Sequence, residues 1–169
     1  MLRLVLPTPA HQEQIWAYRE EFLKYGDTLA GTASLDRAES FEEWFAAWRD
    51  NGSEETVRPG LVPATTFLAM DGERLVGMID IRHRLNDYLL NFGGHIGYSV
   101  RRGERQKGYA AGMLALALEE CRRLGLERVL VTCDKDNLAS ARTILRNGGV
   151  LENEVEEDGE TVQRYWIKL

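Results

Sequence analysis

Anion binding is the chemistry that this sequence signals most clearly, through a short basic segment in front of a helix. Arg101, Arg102, Arg105 and Lys107 fall within seven positions, and Gly108 follows them directly. The N-terminus of a helix is a ready site for phosphate because its first N–H groups are unpaired and the helix dipole is positive there. Glycine lets a phosphate come close to the backbone because it has no Cβ. The segment therefore predicts a site for a small phosphorylated ligand.

Two common phosphate-binding motifs do not fit this segment. A Walker A loop ends in Gly-Lys-Ser/Thr, whereas Lys107 precedes Gly108 here. A dinucleotide fingerprint needs Gly-x-Gly-x-x-Gly directly after the first strand, and the chain has none. The net charge of −6 argues against nucleic acid as a partner. A local basic segment on an acidic protein suits a small anion better than a polyanion.

The elements around the segment must position it, and the sequence predicts a strand before it and a long helix after it. Gly94–Arg101 has a strand-like pattern, and Gly108–Gly125 repeats apolar residues at helical spacing. A β-branched apolar run at Arg128–Cys133 is typical of a strand at the centre of a sheet. A second helix is predicted at Asn137–Asn147.

The remaining elements predict a mixed sheet with helices packed on it. Further strands are expected at Leu2–Leu6, Thr65–Met70, Arg74–Arg82, Val150–Glu156 and Thr161–Leu169, and further helices at Ala10–Tyr25 and from Phe41 to about Asn51. The order β, α, α, β, β, β, α, β, α, β, β indicates an α/β (α+β) fold with about seven strands and about four helices. No repeat or internal boundary is visible, so residues 1–169 are expected to form a single domain.

Composition and cysteine content are those of a soluble globular protein. Hydrophobic residues make up 44% of the chain and charged residues 28%, and no apolar run approaches the ~20 residues of a membrane span. A cytoplasmic location and no membrane partner are therefore expected. Cys121 and Cys133 are expected to be buried and reduced. His11, His83 and His95 have no metal-ligand spacing, so no metal site is expected.

The segment Arg105–Ala110 resembles the Arg/Gln-x-x-Gly-x-Gly/Ala motif of the GNAT N-acetyltransferases. The apolar strand ends at Val100, five residues earlier, which is the usual spacing in that family. Asn137 and Ser140 then match the family's Asn-x-x-Ala/Ser step. The inferred order of elements also agrees with the GNAT fold over the whole chain. The resemblance therefore implies a GNAT fold and acetyl-CoA as the acyl donor.

The resemblance also implies how acetyl-CoA would be held. The backbone amides of the basic segment would bind its pyrophosphate, and Asn137 would approach its pantetheine arm. The strands at Gly94–Arg101 and Val129–Cys133 should splay into a V-shaped cleft, with the Gly26–Ser40 loop beside the acceptor. The cofactor-binding residues implied are Ser99, Val100, Arg105, Gln106, Lys107, Gly108, Tyr109, Ala110, Asn137 and Ser140.

The activity implied is direct transfer of an acetyl group to a primary amine of a small molecule or protein, in a ternary complex. Many GNAT enzymes protonate the leaving thiolate with a tyrosine seven residues after the motif asparagine, and this chain has Ile144 there. Candidate catalytic residues are therefore His95, which titrates in the useful range, Tyr98 and Ser140. Each also has a structural interpretation: a strand histidine, a packing aromatic, or a serine bonded to its own helix.

Two alternatives follow from the same residues. Ile144 would suit a non-catalytic acyl-CoA-binding sensor or interaction domain with the same fold. A different donor such as succinyl-CoA would need a basic residue at the cleft mouth, for which Arg101 and Arg142 are the candidates. Members of the family often form dimers, so the resemblance also implies that a homodimer is an option for this chain.

Overall fold

The computed structural model describes residues 1–169, and its strands form one seven-stranded sheet in the order β1-β2-β3-β4-β5-β7-β6. The strands are β1 (Leu2–Val5), β2 (Ala64–Asp71), β3 (Arg74–Arg82), β4 (Ile96–Val100), β5 (Arg128–Asp134), β6 (Val150–Glu157) and β7 (Glu160–Lys168). The helices are α1 (Gln12–Tyr25), α2 (Phe41–Asp50), α3 (Tyr109–Arg123) and α4 (Leu138–Arg146), with a short π-helix at Leu89–Gly93. The predicted mixed sheet flanked by helices is confirmed.

One pair of neighbouring strands differs from all the others. Every adjacent pair is antiparallel except β4 and β5, which are parallel and share a single paired position, Ile96 with Val131. The chain passes from β4 through α3 to β5, which is the crossover that a parallel pair requires. Beyond Ile96 the two strands diverge, and the predicted splay is present.

The helices pack in two groups, each with its own core cluster. Helix α3 buries one face, including Met113, Leu114, Ala117, Leu118 and Cys121, in a cluster shared with α4 and the central strands. Helices α1 and α2 bury an aromatic-rich stripe that includes Tyr18, Phe22 and Trp44 in a second cluster. Both cysteines are free and buried, as expected. None of the helices is both long and apolar enough to cross a membrane.

Local signals at the helix ends account for most of the boundaries. Ser40 accepts a hydrogen bond from the N–H of Glu43 at 3.1 Å and so caps α2. Gly26 ends α1 in the left-handed conformation, with φ of 69°. The π-helix Leu89–Gly93 lies in a segment for which the sequence predicted neither a strand nor a helix, because five residues are too few to show a helical period.

Candidate active site

A cleft of about 840 Å³ opens where β4 and β5 diverge. Its walls are β4, the end of β5, the segment that leads into α3, and the first turns of α4. Asp27, Thr28 and Ala30, from the loop after α1, also line it, as do Phe92, Glu157 and Val162. The volume lies within the usual range for small-molecule sites in proteins.

The backbone of β4 presents polar groups to this cleft. The N–H of Arg101 donates to the carbonyl of Val76 on β3 at 2.9 Å, so Arg101 faces β3. Successive residues of a strand point their backbone groups to opposite sides, so those of Val100 and Tyr98 face the cleft. The carbonyl of Val100 accepts a hydrogen bond there from Nε of Arg105 at 2.9 Å. The diverging strand therefore offers backbone donors and acceptors to a ligand.

The N-terminus of α3 presents unpaired backbone N–H groups to the cleft. The first helical hydrogen bond runs from the N–H of Gly112 to the carbonyl of Gly108 at 3.2 Å. The N–H groups of Tyr109, Ala110 and Ala111 therefore have no partner within the helix. Gly108 has φ of 85°, and a Cβ built on it would meet no atom within 4 Å. The backbone here is open to a phosphate group, and the residues of this segment fit the pyrophosphate of a coenzyme A ligand.

The basic side chains of the same segment are already paired with carboxylates. Arg102 donates to Asp27 at 3.1 and 2.8 Å, and Arg105 lies 3.3 Å from Asp27 through Nη2. Lys107 pairs with Glu104 at 3.1 Å. The hydrogen bond from Arg102, helped by the charge of Arg105, holds the pKa of Asp27 below its usual value. Arg105 and Lys107 thus shape the segment, and the N–H groups of α3 remain free for an anion.

Three more of the predicted cofactor-binding residues, Ser99, Gln106 and Tyr109, line the cleft. The Tyr109 hydroxyl donates to Asp71, at the end of β2, and so ties the start of α3 to the sheet. Gln106 has φ of 64°, the left-handed region that non-glycine residues rarely occupy. Ser99 lines the cleft, but its hydroxyl lies 2.9 Å from that of Tyr18 on α1.

On α4, Asn137 and Ser140 both line the cleft, and each makes a hydrogen bond within the protein. Asn137 Oδ1 accepts from the N–H of Ser140 at 3.1 Å, so it caps the helix. Ser140 Oγ lies 2.6 Å from the Tyr98 hydroxyl. Burial raises the pKa of Tyr98 to about 12. The structure thus brings together Tyr98 and Ser140, which the sequence named as catalytic candidates.

His95 is placed apart from these residues and does not line the cleft. Its side chain is 4% exposed, and Nδ1 accepts a hydrogen bond from the N–H of Leu130 on β5 at 2.9 Å. Burial, with a smaller effect of the Arg82 charge, lowers the pKa of His95 to about 4. The catalytic role that the sequence suggests for His95 stays a prediction, and in this structure its ring joins the start of β4 to β5.

Three residues of the site have no clear signal in the sequence. Asp27 binds Arg102 and Arg105 of the segment before α3, yet it is 75 residues away from Arg102 in the chain. Thr143 lines the cleft beside Tyr98. Tyr18 belongs to an ordinary apolar stripe on α1, and only the fold shows that its hydroxyl reaches Ser99. Local sequence patterns do not reveal such contacts, because the two residues lie far apart in the chain and meet only in the folded protein.

The sequence matches a family described as acetyltransferase (GNAT) domain over residues 1–150. The chain belongs to the GNAT acetyltransferase family. It is therefore an acyltransferase, as the motif around Gly108 predicted. No curated protein matches the sequence at a significant level.

Solved structures of other GNAT proteins share this fold. The microcin C7 self-immunity acetyltransferase MccE, in complex with acetyl-CoA and AMP, has a TM-score of 0.72 at 18% identity, covering 99% of this chain and 92% of its own. RimL, a ribosomal L7/L12 α-N-protein acetyltransferase in complex with coenzyme A, has a TM-score of 0.72 at 17% identity, with 99% and 94% covered. The structure of yncA of Salmonella typhimurium, solved with acetyl-CoA, has a TM-score of 0.65 at 13% identity, covering 99% of this chain and 94% of its own. At these identities the likeness confirms the fold alone.

Proposed function

We propose that this GNAT protein transfers an acetyl group from acetyl-CoA directly to a primary amine of a small molecule or protein. The observation that carries the proposal is the open N-terminus of α3, where Gly108 leaves room for a phosphate at the mouth of the cleft. The complexes of MccE and yncA with acetyl-CoA, on the same fold, support the choice of donor.

The chain offers a matching set of groups along the cleft. The N–H groups from Gly108 to Ala111, with the backbone of Gln106 and Lys107, would hold the pyrophosphate. Backbone groups of Tyr98 and Val100 would pair with the amides of the pantetheine arm. Asn137 and Ser140 would line the opposite wall, on α4.

Acetyl transfer to an amine needs a neutral amine and a stabilised oxyanion. A free alkyl amine has a pKa of about 10, so its proton must leave, through water where no side chain accepts it. A backbone N–H of β4 would stabilise the oxyanion, and holding both reactants in one cleft provides a large part of the acceleration. Burial raises the pKa of Cys133 to about 11, which keeps the thiol protonated. This favours direct transfer over an acyl-cysteine intermediate.

A second function with the same fold is a non-catalytic acyl-CoA-binding domain. Ile144, at the position of the usual tyrosine, is fully buried and has no polar group to offer. Isothermal titration with acetyl-CoA, dephospho-CoA and ATP tests the donor, and thiol release over a panel of amines tests turnover. Selective binding with turnover supports acetyl transfer, whereas binding without turnover supports the binding domain. Failure to bind acetyl-CoA would contradict both.

Replacing Gly108 with valine tests the anion site directly. The new side chain would extend into the open space before α3, so we expect Gly108→Val to weaken acetyl-CoA binding by at least about 100-fold, a loss of about 3 kcal/mol. Gly125→Val is the matched control, because Gly125 has the same φ of 85° and equally open surroundings but does not line the cleft. Both variants carry similar backbone strain of about 1–2 kcal/mol. Equal affinity in the two variants would contradict the proposed site.

A further inference from the structure

Four protic side chains meet at the base of the cleft, from three different elements. Tyr98 comes from β4, Cys133 from β5, and Ser140 and Thr143 from α4, and all four line the cleft. Tyr98 Oη and Ser140 Oγ are 2.6 Å apart. The group lies where β4 and β5 diverge, which is where the thioester of a bound acyl-CoA would meet the acceptor.

The neighbouring position on α4 cannot supply a hydroxyl. Ile144 is fully buried in the core cluster of α3 and the central strands. Its Cγ2 lies 2.4 Å from where a Cβ on Gly149 would be, so the space around it is filled. Tyr98 extends from β4 toward α4 and places its phenol beside the residue that precedes Ile144.

We propose that Tyr98 donates a hydrogen bond to the leaving thiolate of the acyl donor, with Ser140 as the residue that positions it. The proposal rests on the proposed acetyl transfer. It assigns to β4 the phenol that many relatives carry on α4.

The geometry of the hydroxyl pair is compatible with this role. Tyr98 Oη and Ser140 Oγ are 2.6 Å apart, and either hydroxyl can be the donor. When Ser140 donates to the phenol oxygen, the O–H of Tyr98 is free to point into the cleft, which Tyr98 lines. Cys133 is the titratable group whose charge would raise the pKa of the phenol, and its own pKa of about 11 keeps it neutral near pH 7.

The acid strengths decide between a hydrogen bond and full proton transfer. The pKa of Tyr98 is about 12, whereas that of an alkyl thiol is about 8.5. The proton therefore stays on Tyr98. As the C–N bond forms, the amine nitrogen loses one proton to water. As the C–S bond breaks, the sulfur leaves with the bonding pair as a thiolate that accepts the hydrogen bond from Tyr98.

The test compares Tyr98→Phe with Ser140→Ala and with Tyr165→Phe. Tyr165 is a buried tyrosine whose hydroxyl donates to Gln163 and which does not line the cleft, so it is the matched control. We expect Tyr98→Phe to lower kcat about 100-fold and to change the Kd of acetyl-CoA less than 3-fold. Ser140→Ala should lower kcat about 10-fold, and Tyr165→Phe should leave it within 2-fold.

A binding measurement tests the same bond without turnover. Coenzyme A and desulfo-CoA, which lacks the sulfur, are titrated from pH 7 to pH 10. Wild type should increasingly prefer coenzyme A as its thiol ionises, because the phenol remains a donor over this range. Tyr98→Phe should abolish this increase in preference for coenzyme A with pH, and Tyr165→Phe should retain it.

Loss of kcat in Tyr98→Phe together with loss of the pH-dependent preference supports the proposal. Unchanged kcat, or an unchanged preference, would overturn it. If wild type acetylates no amine, the proposed function fails, and the comparison with desulfo-CoA still decides whether Tyr98 contacts the sulfur.

Discussion

At the level of single side chains, burial decides what a titratable residue can do in this protein. His95 and Tyr98 lie three positions apart on the segment that leads into the cleft, yet only Tyr98 lines it. His95 instead accepts the N–H of Leu130 and remains neutral. The sequence shows the type of each residue, but whether its side chain is buried or reaches the cleft depends on the neighbouring strand.

The burial of His95 predicts a pH dependence of stability. Its folded pKa of about 4 is below the unfolded value of about 6.5, so the unfolded state binds more protons between these values. The stabilisation is fully present above about pH 6.5 and is lost as the pH falls toward 4. Urea unfolding at pH 7 and pH 4.5 should show wild type losing about 2 kcal/mol more than His95→Gln.

The same measurement at pH 8 is the control for this comparison. His95 is largely neutral in both the folded and the unfolded state at pH 7 and at pH 8, so wild type and His95→Gln should differ in stability by nearly the same amount at these two pH values. An equal loss in His95→Gln and wild type would mean that His95 does not remain neutral in the folded protein.

At the level of elements, the loop after α1 reaches the cleft because two glycines let it approach β4. A Cβ on Gly31 would lie 2.3 Å from the carbonyl oxygen of Gly97. This contact places Thr28 and Ala30 in the wall of the cleft, beside the expected acceptor. This wall of the cleft is therefore fixed by backbone packing as well as by side chains.

We expect Gly31→Ala to cost more than Gly26→Ala. Both glycines have φ near 70°, so both variants carry backbone strain of about 1 kcal/mol, but Gly26 has no atom within 4 Å of a new Cβ. The clash with Gly97 should add at least about 2 kcal/mol to the loss in Gly31→Ala, measured by urea unfolding. Equal losses would show that the loop moves away from β4 at no cost.

The elements were more predictable than the contacts between them. The strand before Gly108 and the helix after it follow from local periodicity, and the motif residues Asn137 and Ser140 fall where the family pattern puts them. The contact of Gly31 with Gly97 has no such signal, because glycine in a polar loop usually indicates only a turn. The pairing of Asp27 with Arg102 is not visible in the sequence either, because any of many acidic residues could be the partner of this arginine.

For the whole molecule, ligand binding and folding are linked through the cleft. A ligand at 100 times its Kd stabilises the folded state by about 2.7 kcal/mol, which corresponds to a rise in Tm of about 5–10 °C for a chain of this size. We expect acetyl-CoA to produce this rise in wild type and in Gly125→Val, and a rise of no more than about 1–2 °C at the same concentration in Gly108→Val, whose Kd is raised about 100-fold. An equal rise in all three proteins would place the binding site elsewhere.

The same measurement separates the two acyl donors. Arg101 lies 2.9 Å from Glu21 and does not line the cleft, so it is not available to a second carboxylate. We therefore expect succinyl-CoA to raise Tm no more than acetyl-CoA does. A larger rise with succinyl-CoA would point to Arg142, which does line the cleft.

The pairing of Arg102, Arg105 and Lys107 with carboxylates has a consequence for competition inside a cell. A site built on free cations attracts any polyanion, and its occupancy follows the concentration of nucleotides and inorganic phosphate around it. Here these three cations share two carboxylates, Asp27 and Glu104, so much of their charge is balanced within the protein, and the donors that remain unpaired are backbone N–H groups at fixed positions on α3. We expect such a site to select its ligand largely by shape, so that abundant metabolites of similar charge inhibit it poorly.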